Sequence, residues 1–144
     1  MDTFYPCLWF DGKAEEAAKY YVAIFKNSKI VVANPMTVSF QLEGQPFYAL
    51  NGGPQYKFTP AISLFVNCET QAEVDDLWNK LSTGGRIDQC GWLQDKYGLS
   101  WQIIPTALGR MLQDKDPQKS KRVMDAMLQM QKIDIAGLQR AYDG

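Results

Sequence analysis

Gln89-Cys90-Gly91-Trp92-Leu93-Gln94-Asp95-Lys96-Tyr97-Gly98-Leu99-Ser100-Trp101-Gln102-Ile103-Ile104 is the stretch that decides the fold. Asp95-Lys96-Tyr97-Gly98 has the composition of a turn, because an aspartate can bond backbone two residues on and glycine tolerates a positive φ. Trp92 to Gln94 before it and Leu99 to Ile104 after it read as strands, so the stretch folds back on itself as a hairpin. Pro105 closes the segment.

Upstream, Ala61 to Asn67 reads as a strand, and Thr70 can cap a helix in which Glu73 completes a capping box. Val74, Leu77, Trp78 and Leu81 form the buried stripe of that helix, Gly84-Gly85 stops it, and Arg86-Ile87 is a short strand. The same order stands in the first part of the chain. Residues 4–10 read as a strand broken by Asp11-Gly12. Ala14, Ala17, Ala18, Tyr21, Val22 and Phe25 then share one face of a helix. Lys29 to Ala33 is a short strand, Val38, Phe40 and Leu42 alternate with Ser39, Gln41 and Glu43, and Phe47 to Asn51 returns antiparallel. Asn51-Gly52-Gly53-Pro54 ends the unit.

Glu16 aligns with Glu73, Tyr21 with Trp78, Gly44 with Gly98 and Phe47 with Trp101. The chain therefore reads as an α+β domain over residues 1–144, built from paired βαβββ modules. The first module occupies residues 1–54 and the second 61–105. A helical tail follows over 106–144, with helices at Ala107 to Gln113, Pro117 to Gln131 and Ile135 to Tyr142. Such a tail has little core of its own and is expected on the sheet's outer side or on a partner subunit.

Spacing assigns the faces of the first hairpin. With Gly44-Gln45 as its turn, Leu42 pairs with Phe47, Gln41 with Tyr48, Phe40 with Ala49 and Ser39 with Leu50. Paired residues share a face. Val38, Phe40, Leu42, Phe47 and Ala49 then form an apolar face for the helix, and Ser39, Gln41, Tyr48 and Leu50 a wetted one.

Composition narrows the function. Apolar residues make up 46% of the chain, and 15 basic residues mix with 16 acidic ones for a net charge of −1. That balance supplies no footprint for nucleic acid. No apolar run is long enough for a membrane span, and Met1 to Pro6 lacks the features of a signal peptide. The three cysteines, Cys7, Cys68 and Cys90, are widely spaced and fit a reducing cytoplasm. Cys7 and Cys68 are expected to be small buried hydrophobes, and without histidine no cysteine has a base to activate it.

Cys7-Leu8-Trp9-Phe10-Asp11, Ala14-Glu15-Glu16-Ala17, Tyr21-x-x-Ile24-Phe25, Leu50-Asn51-Gly52-Gly53-Pro54, Cys90-Gly91-Trp92-Leu93, Ser100-Trp101-Gln102 and Met127-Leu128-Gln129-Met130-x-Lys132 carry a resemblance. Together they resemble the PhnB-like branch of the glyoxalase/bleomycin resistance/extradiol dioxygenase, or vicinal oxygen chelate, superfamily. Members often bear the name 3-demethylubiquinone-9 3-methyltransferase. This chain has no Gly-x-Gly loop between a strand and a helix to support that activity. The resemblance implies two four-stranded sheets around a cleft, with outer helices, in a homodimer.

In metalloenzymes of the fold, an Asp-x-x-Gly turn is followed by a metal-binding carboxylate. Here that place holds Gln102. The other ligand places carry over to Pro6, Ala61 and Tyr48. Proline and alanine offer no ligating side-chain atom, phenol is protonated near neutral pH, and glutamine is a poor ligand for a catalytic divalent metal. No metal and no other cofactor is expected. The implied pocket is lined by Leu8, Ser39, Gln41, Tyr48, Ser63, Phe65 and Gln102. The reading is a cytoplasmic, metal-free small-molecule-binding protein. The alternative is an enzyme of the same fold acting on a small metabolite without a histidine-based metal site, using Tyr48, Gln102 or another pocket side chain, or drawing its chemistry from the ligand; a third reading is a structural dimer with a vestigial pocket.

Overall fold

The fold comes from a computed structural model that describes residues 3–144; the first two residues of the stretch read for a signal peptide lie outside them. The described chain falls into two compact units, one ending at Phe58 and the other spanning Thr59–Gly144.

In the first unit β1 (Cys7–Phe10), α1 (Ala14–Ile24), β2 (Lys29–Ala33), β3 (Thr37–Leu42) and β4 (Gln45–Asn51) follow in order. The strands form one sheet in the order β1-β4-β3-β2, with β1 parallel to β4 and the rest antiparallel. Helix α1 forms where the apolar periodicity places it, and Ala14, Ala17, Ala18 and Tyr21 are buried. Tyr21 stacks on Phe40, and Phe40 on Phe47, which shows the sheet face that the helix covers. Val38, Phe40, Leu42, Phe47 and Ala49 are buried on that face. Burying each large side chain there contributes roughly 1.5–3 kcal/mol.

The hairpin turn lies one residue earlier than the spacing suggests. Glu43 and Gly44 both have positive φ, 50° and 80°, which is the two-residue turn whose twist suits paired strands. Phe40 therefore pairs with Phe47, Ser39 with Tyr48, Val38 with Ala49 and Thr37 with Leu50. Each residue has moved two places along its partner, so the division into faces is unchanged.

The second unit repeats the pattern with β5 (Ser63–Cys68), α2 (Gln71–Ser82), β6 (Arg86–Ile87), β7 (Trp92–Gln94) and β8 (Ser100–Pro105). Its sheet order is β5-β8-β7-β6, with β5 and β8 parallel. Thr70 caps α2 by accepting from the Glu73 amide at 3.1 Å. The Glu73 carboxylate reaches back to the Glu69 amide, one residue beyond its place in a standard capping box. Val74, Trp78 and Leu81 are buried along α2, and Cys68, Leu93, Trp101 and Ile103 are buried on the sheet.

The tail comprises α3 (Thr106–Leu112), α4 (Pro117–Met127) and α5 (Ile135–Asp143). Its core joins Leu108, Val123, Ile133 and Leu138 to Ile104 of β8. Along β8, Ile104 alternates with the helix-facing Ile103, so the tail docks at the end of the opposite face, and on its own unit. Helix α4 ends at Met127 and does not run to Gln131. The carbonyls of Met130 and Gln131 accept from the amides of Cys90 and Gly91, each at 2.8 Å. A continued helix would direct those carbonyls along its own axis. Among the described residues no helix is long and apolar enough to cross a membrane.

Candidate ligand-binding site

Residues 95–102 build the centre of the second unit from a buried anchor. Asp95 is 2% exposed. Its Oδ1 accepts from the amides of Tyr97 and Leu99, and its Oδ2 accepts from the Trp101 indole at 2.9 Å. The carboxylate is thus committed to the turn and to placing Trp101 in the core, as a turn residue and not a base. With Trp101 inward, alternation turns Ser100 and Gln102 to the other face of the sheet.

Register then gives that face two rows. Phe65, Gln102 and Trp92 are cross-strand neighbours, and so are Ser63, Ser100 and Gln94. Gln102 Nε2 donates to Ser63 Oγ at 3.0 Å, so its amide leans back along the strand from its own row to the next. Ser63, Gln102 and Trp92 are half-buried, while Phe65 is 56% exposed. Three of the expected lining residues, Ser63, Phe65 and Gln102, are therefore brought together. Trp92 and Ser100 join them, and the pairing of β7 with β8 is the signal that could have found both. Ser100 Oγ is buried and has no hydrogen-bond partner among the described residues.

In the first unit the face away from α1 carries a row of Ser39, Tyr48 and Cys7, with Gln41 one row further along. Leu8 does not belong to it. It pairs with Ala49, is 5% exposed, and faces the core with Phe10. The strand begins at Cys7, and Pro6 lies outside it, giving its carbonyl to the Tyr48 amide. Counting from Pro6 as a strand residue puts Leu8 on the wrong side; Cys7 and Trp9 take the open face instead. Cys7 is accordingly exposed, against the expectation that it is buried, whereas Cys68 is buried.

Trp9 is held in place by its neighbours. Its indole donates to the Gly53 carbonyl at 2.9 Å, and its ring meets Tyr56 edge-on with centroids 4.9 Å apart. A Cβ on Gly52 would lie 2.3 Å from that ring, so only glycine fits there. Asn51 caps the start of α1 by accepting from the Ala14 amide and donates to the Pro35 carbonyl. The Asn51-Gly52-Gly53 motif is thereby absorbed by structure.

Burial pushes the Cys68 thiol up to about 11, with the charges of Glu73 and Glu69 adding to the effect. Partial desolvation by its neighbours also raises the exposed Cys7. Neither supplies thiolate near neutral pH. The places matched to metal ligands do not fit a divalent ion: Pro6 and Ala61 lie outside the strands and carry no ligating side-chain atom, and Gln102 offers only a neutral amide oxygen. Among the described residues no three His, Cys, Asp or Glu side chains are arranged so that they could hold a metal ion.

A family model described as 3-demethylubiquinone-9 3-methyltransferase matches residues 2–104. The resemblance read at Met127 to Lys132 lies beyond that match. A PhnB protein from Bacillus cereus, described as a 3-demethylubiquinone-9 3-methyltransferase, is 35% identical. The alignment covers 72% of this chain and 99% of that one, with a TM-score of 0.66. A Pseudomonas aeruginosa protein is 18% identical over 72% of this chain and 96% of its own, with a TM-score of 0.59. The fosfomycin resistance protein FosX from Listeria monocytogenes, in complex with Mn(II) and sulfate, is 13% identical. It matches over 70% of this chain and 88% of its own, with a TM-score of 0.53. No curated protein matches this chain.

Proposed function

Because the chain belongs to this PhnB-like, 3-demethylubiquinone-9 3-methyltransferase-like family and has the glyoxalase/bleomycin resistance fold, we propose that it binds a small organic molecule on the sheet face that carries Gln102, without a metal ion. The observation that carries this reading is Gln102, flanked by Phe65 and Trp92 in its own row and hydrogen-bonded to Ser63 in the next. A few polar groups among aromatic side chains are what orient a small ligand. Mn(II) in FosX belongs to a distant relative and is not carried over, because the donors here do not suit it. Ser39, Gln41 and Tyr48 are proposed as a second polar patch on the other unit.

The test is a thermal-shift screen of small molecules against the wild type and Gln102→Ala, with element analysis of the purified protein. A ligand that binds only the folded state raises Tm by mass action, a shift of about 2.7 kcal/mol in stability at a hundredfold excess over Kd. Gln102→Ala is expected to remove most of that shift. Stoichiometric zinc, nickel, manganese or iron would sink the metal-free reading, and an unchanged response in the variant would clear Gln102 of a role.

The reading also takes the protein to be a cytoplasmic homodimer. Three free cysteines support a reducing compartment, and exposed Phe4, Val32, Met36 and Tyr56 on the first unit supply apolar surface for a partner copy. Light scattering is expected to return twice the chain mass; the single mass at working concentration would remove the dimer.

A further inference from the structure

The two rows on the second sheet restrict what such a ligand can be. Ser63, Ser100 and Gln94 form one row, and Phe65, Gln102 and Trp92 the next. None of these six side chains is charged. The charge nearest to them by register is Arg86 on the edge strand, paired with Gln94, and its guanidinium is taken by Asp88 at 3.1 Å. A carboxylate or phosphate set among these six side chains would lose hydration without meeting a cation from any of them, which is unfavourable.

What the face does offer is hydrogen-bonding capacity in excess of its partners. Ser63 Oγ accepts from Gln102 and keeps its own proton to donate. Ser100 Oγ is buried with no partner. Such a group costs stability in the free protein until something bonds to it. The Gln102 amide reaches Ser63 by leaning back from its own row, and Ser63 is the residue paired with Ser100. A group that replaces the Gln102 amide at Ser63 therefore enters the row in which the Ser100 hydroxyl lies.

We propose that the ligand of this face is an uncharged aromatic carboxamide, or a cyclic amide of the same shape. Its N–H takes over the Ser63 oxygen from Gln102, its carbonyl accepts from Ser100, and its ring lies between Phe65 and Trp92. The Gln102 side chain is the internal stand-in for that amide when the face is free. This rests on the binding reading above and specifies its chemistry.

The matched probes are benzamide and benzoate, which have the same shape and differ in charge at neutral pH. Each is titrated into the 15N-labelled full-length protein while the Gln102 side-chain amide and the Ser63, Ser100 and Gln102 backbone resonances are followed. Benzamide is expected to move these signals and to bind at least tenfold more tightly than benzoate. Ser100→Ala is expected to weaken benzamide about tenfold while leaving Tm of the free protein unchanged or raised, since it removes a hydroxyl that has no partner. A merely structural Ser100 would lower Tm and leave benzamide binding alone, and that pattern overturns the assignment. Equal or tighter binding of benzoate overturns the carboxamide class but keeps the binding reading. Silence from both probes beside a Gln102-dependent charged ligand in the thermal screen has the same meaning. Silence from both with no ligand in the screen removes both.

Discussion

At the residue scale, Asp95 decides how the hairpin presents its two faces. Its carboxylate takes two amides and the Trp101 indole in a site that is 2% exposed. Asp95→Asn keeps one oxygen for the amides but turns an NH2 group toward an indole that can only donate. The expected loss is about 1–3 kcal/mol for the buried donor left unsatisfied, read as a lower urea midpoint with an unchanged m value. A midpoint equal to wild type would mean that the turn is held by Gly98 and the strand pairing alone. Sequence made the turn legible through Asp95 and Gly98. It could not show the reach to Trp101, because a tertiary bond leaves no periodicity. Leu8 failed for a related reason. Cys7-Leu8-Trp9-Phe10 is apolar throughout, so its alternation carries no contrast to fix which residues face the core.

At the scale of elements, repeat and alternation made all eight strands and the two covering helices readable, and the division of β3 and β4 into faces survived an error in register. Element ends were less legible, because they depend on partners distant in sequence. Asn51 caps α1 from 37 positions away, and α4 stops where Met130 and Gln131 serve Cys90 and Gly91. The tail also has a charge-dependent clasp. Tyr142 donates to Asp114, Lys119 lies 4.9 Å from the Tyr142 ring, and Arg122 donates to the carbonyls of Ala141 and Tyr142. The tyrosine hydrogen bond, followed by the Asp116 amide, holds the Asp114 carboxyl below the usual aspartate range, and the same bond raises Tyr142.

A depressed carboxyl adds stability that is present in full above about pH 4 and is lost as pH falls through its folded value. A raised phenol adds stability below about pH 10 that is lost as pH rises through its own folded value. Amide exchange of α5 is therefore expected to accelerate at both extremes relative to mid pH, after correction for intrinsic rates. Tyr142→Phe should flatten both limbs, and a wild-type profile in that variant would refute the clasp.

At the scale of the whole molecule, each unit owns a sheet and a helix that covers it, and the sequence repeat reaches this level without help. The tail is the part that the repeat does not explain. The family match ends at residue 104, where β8 passes its last isoleucine to the tail's apolar cluster. Ile104 is the sheet's contribution to that apolar cluster, and it makes the apolar dependence between sheet and tail unequal. The sheet has its own buried layer in Leu93, Trp101 and Ile103, whereas the three tail helices gather around a residue they do not contain. Opening should thus run in one direction. Native-state hydrogen exchange is expected to find α4 and α5 released together at low denaturant while β8 stays protected, and no species in which the sheet has opened beneath an intact tail. During synthesis the same asymmetry sets an order of assembly: the last forty or so residues have nothing to fold upon until the strand that precedes them is paired.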